Sequence, residues 1–161
     1  MDRIRKILGV SAILLLSLFF CPVHADAANP AQASRLQAQQ AETLQLQGRH
    51  PQAVDAYRRA LALAREGNDP AWQAMLMGQL GGALLLAGEP DEAGGILREG
   101  ISIARELNDA GLQAALTNNL AHLHKGQGNM EVALSLFRKS FVLAERAGND
   151  ALLAKTSLSA V

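Results

Sequence analysis

The sequence has few of the residues that build covalent, redox or stacking sites. Its 161 residues include one cysteine, Cys21, and aromatic side chains make up only 4% of the chain. Beyond Cys21 the chain therefore has no internal disulfide, thiol nucleophile or cysteine metal site. Strand-length alternation of β-branched residues is also absent, whereas alanine, leucine, glutamine and arginine are frequent. Because these side chains lose little rotamer freedom in a helix, the composition predicts an all-α fold.

The N-terminal segment has the layout of a secretory signal. Three basic residues among the first six precede an apolar run over 7–21. The segment 23–25 then ends in the small residue Ala25, as a signal-peptidase site requires. The run is shorter than the roughly 20 apolar residues of a membrane-spanning helix. We expect residues 1–25 to be a signal peptide cleaved after Ala25, with a periplasmic or secreted product. An uncleaved anchor is the alternative, and the phenylalanines before Cys21 disfavour a lipoprotein site there.

The charge balance argues against a nucleic-acid ligand. The chain has 15 basic and 15 acidic side chains, and removal of residues 1–25 leaves 12 basic and 14 acidic ones. A nucleic-acid-binding protein needs a basic surplus to neutralise phosphates. We therefore expect no nucleic-acid partner, and no stable membrane span after cleavage.

An internal repeat carries the strongest signal. The segment 48–53 recurs at 88–93 and again at 128–133, each time starting with glycine. Such a constant period indicates stacked pairs of helices, with glycine in a left-handed C-cap and Asn-Asp before the next helix. The predicted repeats cover about 30–69, 70–109 and 110–150. First (A) helices are predicted over 30–47, 70–87 and 110–126, and second (B) helices over 51–66, 91–107 and 131–147.

Particular residues within these helices resemble the tetratricopeptide repeat family, in its longer variant with a period of roughly 40 residues. The matching residues are Leu80-Gly81 and Leu120-Ala121 in helix A, and Ala53, Ala93, Ala133, Tyr57, Leu97 and Phe137 in helix B. The resemblance implies a right-handed α-solenoid of antiparallel helix pairs, with about three repeats and a partial fourth helix. It also implies a scaffold that binds a protein or peptide, without enzymatic activity or a cofactor.

The C-terminal segment restarts the helix A pattern. Leu152, Leu153, Leu158 and Val161 recur there at helical spacing. One expectation is weak self-association through residues 150–161, which would bury these side chains. The other is that the chain is the front of a longer array, similar to the N-terminal region of exported CHAT-domain proteins, whose downstream domain resembles a peptidase. Translation of the DNA beyond Val161 in all frames would separate the two.

The best candidate for a ligand contact lies on the third helix A. Asn118, His122 and Lys125 fall at i, i+4 and i+7 and are expected to form one polar stripe, with Asn119 beside it. In the family that the chain resembles, this side of helix A lines a concave groove. The second repeat is apolar there and includes Met75, which favours an apolar ligand segment. A solvated helix face is the alternative interpretation.

A second candidate is a ladder of arginines, Arg58, Arg98 and Arg138, at the same position of each helix B. The ladder is a candidate surface for an acidic partner or an anionic envelope polymer, although local pairing of Asp55 with Arg58 and Arg59 is a simpler explanation. We find no catalytic constellation and expect no metal site. The histidines His122 and His124 lie two residues apart and point to different faces of a helix, so they cannot chelate together.

Overall fold

The computed structural model describes residues 29–148 together with Ala151 and Leu153. Within residues 29–148 the chain forms six α-helices joined by short turns. They are α1 (Pro30–Leu46), α2 (His50–Glu66), α3 (Pro70–Ala87), α4 (Pro90–Glu106), α5 (Ala110–Gly126) and α6 (Met130–Ala147). The predicted all-α fold and its three helix pairs are confirmed, with helix ends within one residue of those expected. The signal peptide and most of the segment 151–161 lie outside the described residues, so cleavage and self-association stay predictions.

Two kinds of turn alternate along the chain. The turns from helix A to helix B place Gly48, Gly88 and Gly128 at φ values of +73°, +82° and +78°, a left-handed conformation that costs glycine little. The turns between repeats use Asn68 and Asn108 in the same region, at φ values of 51° and 55°. Each asparagine is followed by an aspartate that caps the next helix A, because Asp69 and Asp109 accept hydrogen bonds from the backbone N–H of Trp72 and Leu112.

The helices pack in sequence order as stacked antiparallel pairs. Each helix contacts the next one along the chain, and α3 also contacts α5 directly. Close approach depends on small residues such as Gly81, whose missing Cβ would lie 2.6 Å from Leu97 Cδ2. The helix pairs therefore form a solenoid in which the A helices line one side.

The interior consists of two groups of buried side chains. The larger group runs through the first two repeats and reaches Leu116, Leu120 and Leu123 of α5. The smaller group lies in the third repeat around Phe137. Within residues 29–148, no helix combines the length and the apolar character that a bilayer crossing needs.

Candidate functional site: the inner groove

A groove with a volume of about 430 Å³ runs across the three A helices. We call it the inner groove. Its lining comes from α1, α3 and α5, with Tyr57 of α2 at one end. The lining residues are Glu42, Gln45, Tyr57, Met75, Gly78, Gln79, Gly82, Leu112, Ala115, Leu116 and Asn119. Apolar and amide side chains therefore share one surface, and Glu42 is its one charged residue.

Amide side chains join neighbouring A helices across this groove. Gln79 Nε2 donates to Glu42 Oε1 at 2.9 Å, and Asn119 Nδ2 donates to the carbonyl oxygen of Gly78 at 3.0 Å. The other amide atom of Gln79, Oε1, is buried and has no donor among the described residues. Since a buried acceptor without a donor is unfavourable, this oxygen makes the groove wall locally less stable.

Tyr57 gives the groove a neutral hydroxyl. Its side chain is only 2% exposed, and burial raises its pKa to about 12, with a smaller contribution from the negative charge of Glu42. The phenol is therefore protonated at any physiological pH. A protonated phenol can donate one hydrogen bond to a ligand carbonyl group.

The structure divides the predicted polar stripe of α5. Asn118 is 0% exposed, so the expectation that it lies on the ligand-facing surface is wrong. The equivalent residue of the second repeat, Gly78, shows the reason, because a Cβ on Gly78 would lie 3.3 Å from Leu116 of the following helix A. At Gly78 this position of helix A packs against Leu116, and only its backbone adds to the groove wall, whereas the side chain at the neighbouring position, that of Asn119, lines the groove.

The other predicted residues occupy different places. Asn119 and Met75 both line the groove, and Met75 is exposed there. His122 and Lys125 are exposed on α5 and lie outside the lining residues. The His122 ring contacts Phe137 edge-on, with 5.1 Å between the ring centroids. The structure therefore brings together two of the five predicted groove residues.

Sequence reasoning missed most of the lining, including Glu42, Gln45, Gln79 and Tyr57. A signal for them exists in the alignment of the repeats with one another. Gln79 and Asn119 occupy the same repeat position, and both have long-range amide hydrogen bonds. A comparison of polar side chains at equivalent positions would have favoured Asn119 over Asn118.

The three arginines of the ladder differ in their ion pairing. Arg58 contacts Glu92 at 2.7 Å, Glu89 at 3.3 Å and Asp55 at 3.4 Å. The hydrogen bond to Glu92 is the main reason that the pKa of Arg58 is raised. The expected local pair with Asp55 is therefore present, but most of the pairing comes from the next repeat. Arg98 and Arg138 have no ion pair within the described residues.

In the part of the chain that the structure describes, no three His, Cys, Asp or Glu side chains lie close enough together to hold a metal ion. Chemical recognition in this region thus rests on amides, a phenol, apolar surface and arginines.

Comparison with known proteins agrees with this architecture. Models of the tetratricopeptide repeat match residues 32–106 and 113–147. No curated protein matches the chain significantly. Among solved structures, BtubC (BKLC) from P. vanneervenii has a TM-score of 0.73 and 16% identity, with 99% of this chain and 65% of that chain covered. The TPR-like repeats of a kinesin light chain from Podosopora anserina have a TM-score of 0.66 and 16% identity, with coverage of 82% and 68%.

At these identities the solved structures show the fold alone, and the chain spans just under two thirds of BtubC. The repeat models, by contrast, cover most of the chain between them. Tetratricopeptide repeats form scaffolds for protein–protein interaction. With six helices, three equally spaced turn glycines and a groove along the A helices, the chain belongs to the tetratricopeptide repeat family.

Proposed function

We propose that this chain is an exported scaffold that holds an extended segment of a partner protein in the inner groove, and that it acts by binding rather than by catalysis. The observation that carries the proposal is the groove itself. It crosses all three repeats and combines amide side chains with apolar surface.

The lining is suited to a peptide backbone. An extended segment offers one N–H and one carbonyl group at almost every residue. The half-buried amide of Gln45 can accept from such an N–H, and the Tyr57 hydroxyl can donate to a carbonyl. Met75 and Leu112 add apolar contact, and an unbranched methionine adapts to ligand side chains of different shapes. We therefore expect recognition of backbone and of apolar side chains, with little charge specificity.

Two glycines provide a matched test of the groove. A Cβ on Gly82 would have Asn119 Nδ2 as its nearest neighbour, at 4.0 Å, and a Cβ on Gly95 would meet nothing within 4 Å. A Cβ is therefore accommodated at both positions, but only Gly82 lines the groove, so only Gly82→Leu extends a side chain into it. Peptides should first be selected from a phage library of random dodecapeptides on residues 26–161.

Binding of the selected peptides to both variants is then measured by fluorescence anisotropy. We expect Gly82→Leu to weaken binding by about tenfold or more, because the leucyl side chain occupies ligand volume. Gly95→Leu should leave the affinity within about twofold. Equal affinity of the two variants would place the ligand elsewhere and contradict the proposal.

Export is supported by the charge and hydropathy pattern of residues 1–25. Fractionation of cells that express the full chain, followed by N-terminal sequencing, tests it. The product should be found in the envelope or the medium and should begin at Asp26. An intact Met1 in a soluble cytosolic fraction would show that the signal interpretation is wrong.

A further inference from the structure

A second pocket, with a volume of about 330 Å³, lies between α4, α5 and α6, and it does not share a lining residue with the inner groove. We call it the basic pocket. Three cationic side chains line it, together with two hydroxyl groups and an apolar wall. The residues are Arg98, Ser102, Arg105, Thr117 and Lys139, with Ile101, Leu120 and Leu136. The lining contains no carboxylate, and its three cations have no ion pair within residues 29–148.

The junction between the first and second repeats, which we call the first junction, has arginines at the same two positions of helix B. There, carboxylates of the chain itself neutralise them. Arg58 and Arg65 of α2 stand one repeat before Arg98 and Arg105 of α4. Arg65 contacts Glu99 of α4 at 3.0 Å, and Arg58 contacts Glu92 of α4 at 2.7 Å. Arginines at these positions of helix B can therefore bind carboxylates supplied by the helix B of the next repeat.

At the second junction, all of these carboxylates are replaced. The residues that pair with Arg58 are Asp55, Glu89 and Glu92, and their equivalents one repeat later are Gly95, Asn129 and Val132. The equivalent of Glu99, the partner of Arg65, is Lys139. Three acids have become neutral and the fourth has become a cation, while both arginines are retained.

The backbone next to Arg98 also leaves space for its side chain. A Cβ on Gly94 would lie 3.3 Å from Arg98 Nη1, so the guanidinium rests where a larger residue would crowd it. The equivalents of Gly94 in the other repeats are Val54 and Leu134. Glycine inside a helix costs about 1 kcal/mol relative to alanine, so this accommodation of the arginine is unfavourable for the helix alone.

We propose that the basic pocket binds carboxylate groups of an acidic segment from a partner protein, which pair with Arg98 and Arg105 as Glu92 and Glu99 pair with Arg58 and Arg65 at the first junction. Arg98 and Arg105 hold the carboxylates, and Lys139 adds a third positive charge. The chain after residue 25 has two more acidic than basic side chains, so general attraction does not favour an acidic ligand. Recognition must come from this local concentration of positive charge.

The first junction also sets the spacing of the ligand. Glu92 and Glu99 are seven residues apart on one helix, which corresponds to a rise of about 10 Å. The acidic segment must therefore present at least two carboxylates about 10 Å apart. An extended peptide of several consecutive glutamates contains pairs at that separation.

The test uses a fluorescein-labelled decaglutamate peptide, with a decaglutamine peptide as the uncharged control, on residues 26–161. Lys139→Glu places a carboxylate at the position equivalent to Glu99 of the first junction, so that the net charge of the lining falls from +3 to +1. Arg59→Glu is the matched control, because Arg59 occupies the same position of the first repeat and the charge change is identical. The readouts are fluorescence anisotropy at low salt and the amide chemical shifts of Ser102 and Thr117.

We expect decaglutamate to bind and to shift both amides, and Lys139→Glu to weaken binding by about tenfold or more. Arg59→Glu should change the affinity by less than about twofold. Equal losses in the two variants would show that only net charge matters and would overturn the proposal. Failure of decaglutamate to bind, or competition by inorganic phosphate as strong per charge as by free decaglutamate, would overturn it as well.

Discussion

Between the first and second repeats, the B helices α2 and α4 are joined by ion pairs of Arg58 and Arg65 with α4. Between the second and third repeats, α4 and α6 both line the basic pocket, and no ion pair joins them among the described residues. The A helices are joined at both junctions, by Gln79 with Glu42 and by Asn119 with Gly78. The surface formed by the B helices therefore differs between the two junctions, whereas the surface formed by the A helices is joined in a similar way at both.

The difference separates what holds the solenoid together from what it presents to a partner. Exposed ion pairs stabilise a protein by less than about 1 kcal/mol each, so their absence at the second junction does little harm to folding. The repeats are joined mainly by buried apolar contacts, which both junctions have. The charges on the outer face can therefore differ between junctions without loss of the fold. At the second junction the basic side chains have no acidic partners among the described residues.

The largest effect is expected from leucines that close each junction. Leu116 lies against Gly78 and Gly100 of the preceding repeat, and its equivalent Leu76 is also fully buried. Leu76→Ala and Leu116→Ala should each lower the free energy of unfolding by about 2–5 kcal/mol, because a cavity remains. The same position in the first repeat, Leu36, is 60% exposed, so Leu36→Ala should cost less than about 1 kcal/mol.

Urea unfolding followed by circular dichroism measures these three changes. Hydrogen exchange then locates them, since Leu116→Ala should increase exchange in α5 and α6 while α1 and α2 stay protected. A cost for Leu36→Ala equal to that of the buried leucines would mean that junction packing is not what stabilises the array.

The next effect depends on pH and belongs to the first repeat alone. Tyr57 is the only tyrosine, and Leu97 and Phe137 occupy its position in the other repeats. Since its pKa is raised to about 12 from an ordinary value near 10, the folded state binds the phenolic proton more tightly than the unfolded state does. The corresponding stability is complete below about pH 10 and is lost as the pH rises toward 12, with a total of roughly 3 kcal/mol.

Tyr57→Phe removes the titrating group and should flatten the stability of the chain between pH 10 and 12. Urea midpoints across that range give the comparison, and the phenolate absorbance of the unsubstituted chain gives the pKa directly. A phenolate transition near pH 10 would contradict the raised pKa.

The third effect concerns a helix A position that holds a different residue in each repeat, namely Ala38, Gly78 and Asn118. Gly78 lies under Leu116, whereas its equivalent in the third repeat is Asn118, which is fully buried with neither amide atom hydrogen-bonded among the described residues. Asn118→Leu replaces the unsatisfied amide by an apolar group of similar size and should stabilise the chain by about 1–3 kcal/mol. Thermal unfolding measures the change, and Asn119→Leu is the control. Asn119 has a hydrogen bond to Gly78, so its replacement should not stabilise.

The helix bounds and turns followed from the sequence because their causes are local. A glycine at each A-to-B turn and an aspartate before α3 and α5 act within a few residues of their own position. The choice between Asn118 and Asn119 was different, since adjacent helical residues differ by about 100° and the outcome depends on where the next helix A lies. The ion pairs of Arg58 with Glu89 and Glu92 join residues more than 30 positions apart. Their partners became visible only once α2 and α4 were placed side by side.

Part of the missing information was nevertheless present in the repeat. An alignment of the second repeat with the third sets Glu92 over Val132 and Glu99 over Lys139, directly beside the retained arginines. Reading charge at each repeat position, rather than the arginine ladder alone, would have separated Arg58 from Arg98. What no alignment supplies is the pocket that Arg98 and Arg105 share with α5 and α6.

The smallest effect restores the first junction's charges at the second. Asn129→Glu with Val132→Glu places carboxylates at the positions of Glu89 and Glu92, where they should pair with Arg98 as their equivalents pair with Arg58. The gain in stability should be below about 1 kcal/mol because these positions are exposed. Decaglutamate binding should fall at the same time, since Arg98 then has partners within the chain.

The neutral pair Asn129→Gln with Val132→Thr controls for changes of shape and helix propensity. Salt identifies the cause, because pairing between exposed charges is largely screened at about 1 M while packing is not. A stability gain that persists unchanged in high salt, or one shared by the neutral control, would mean that the two junctions differ in packing rather than in charge.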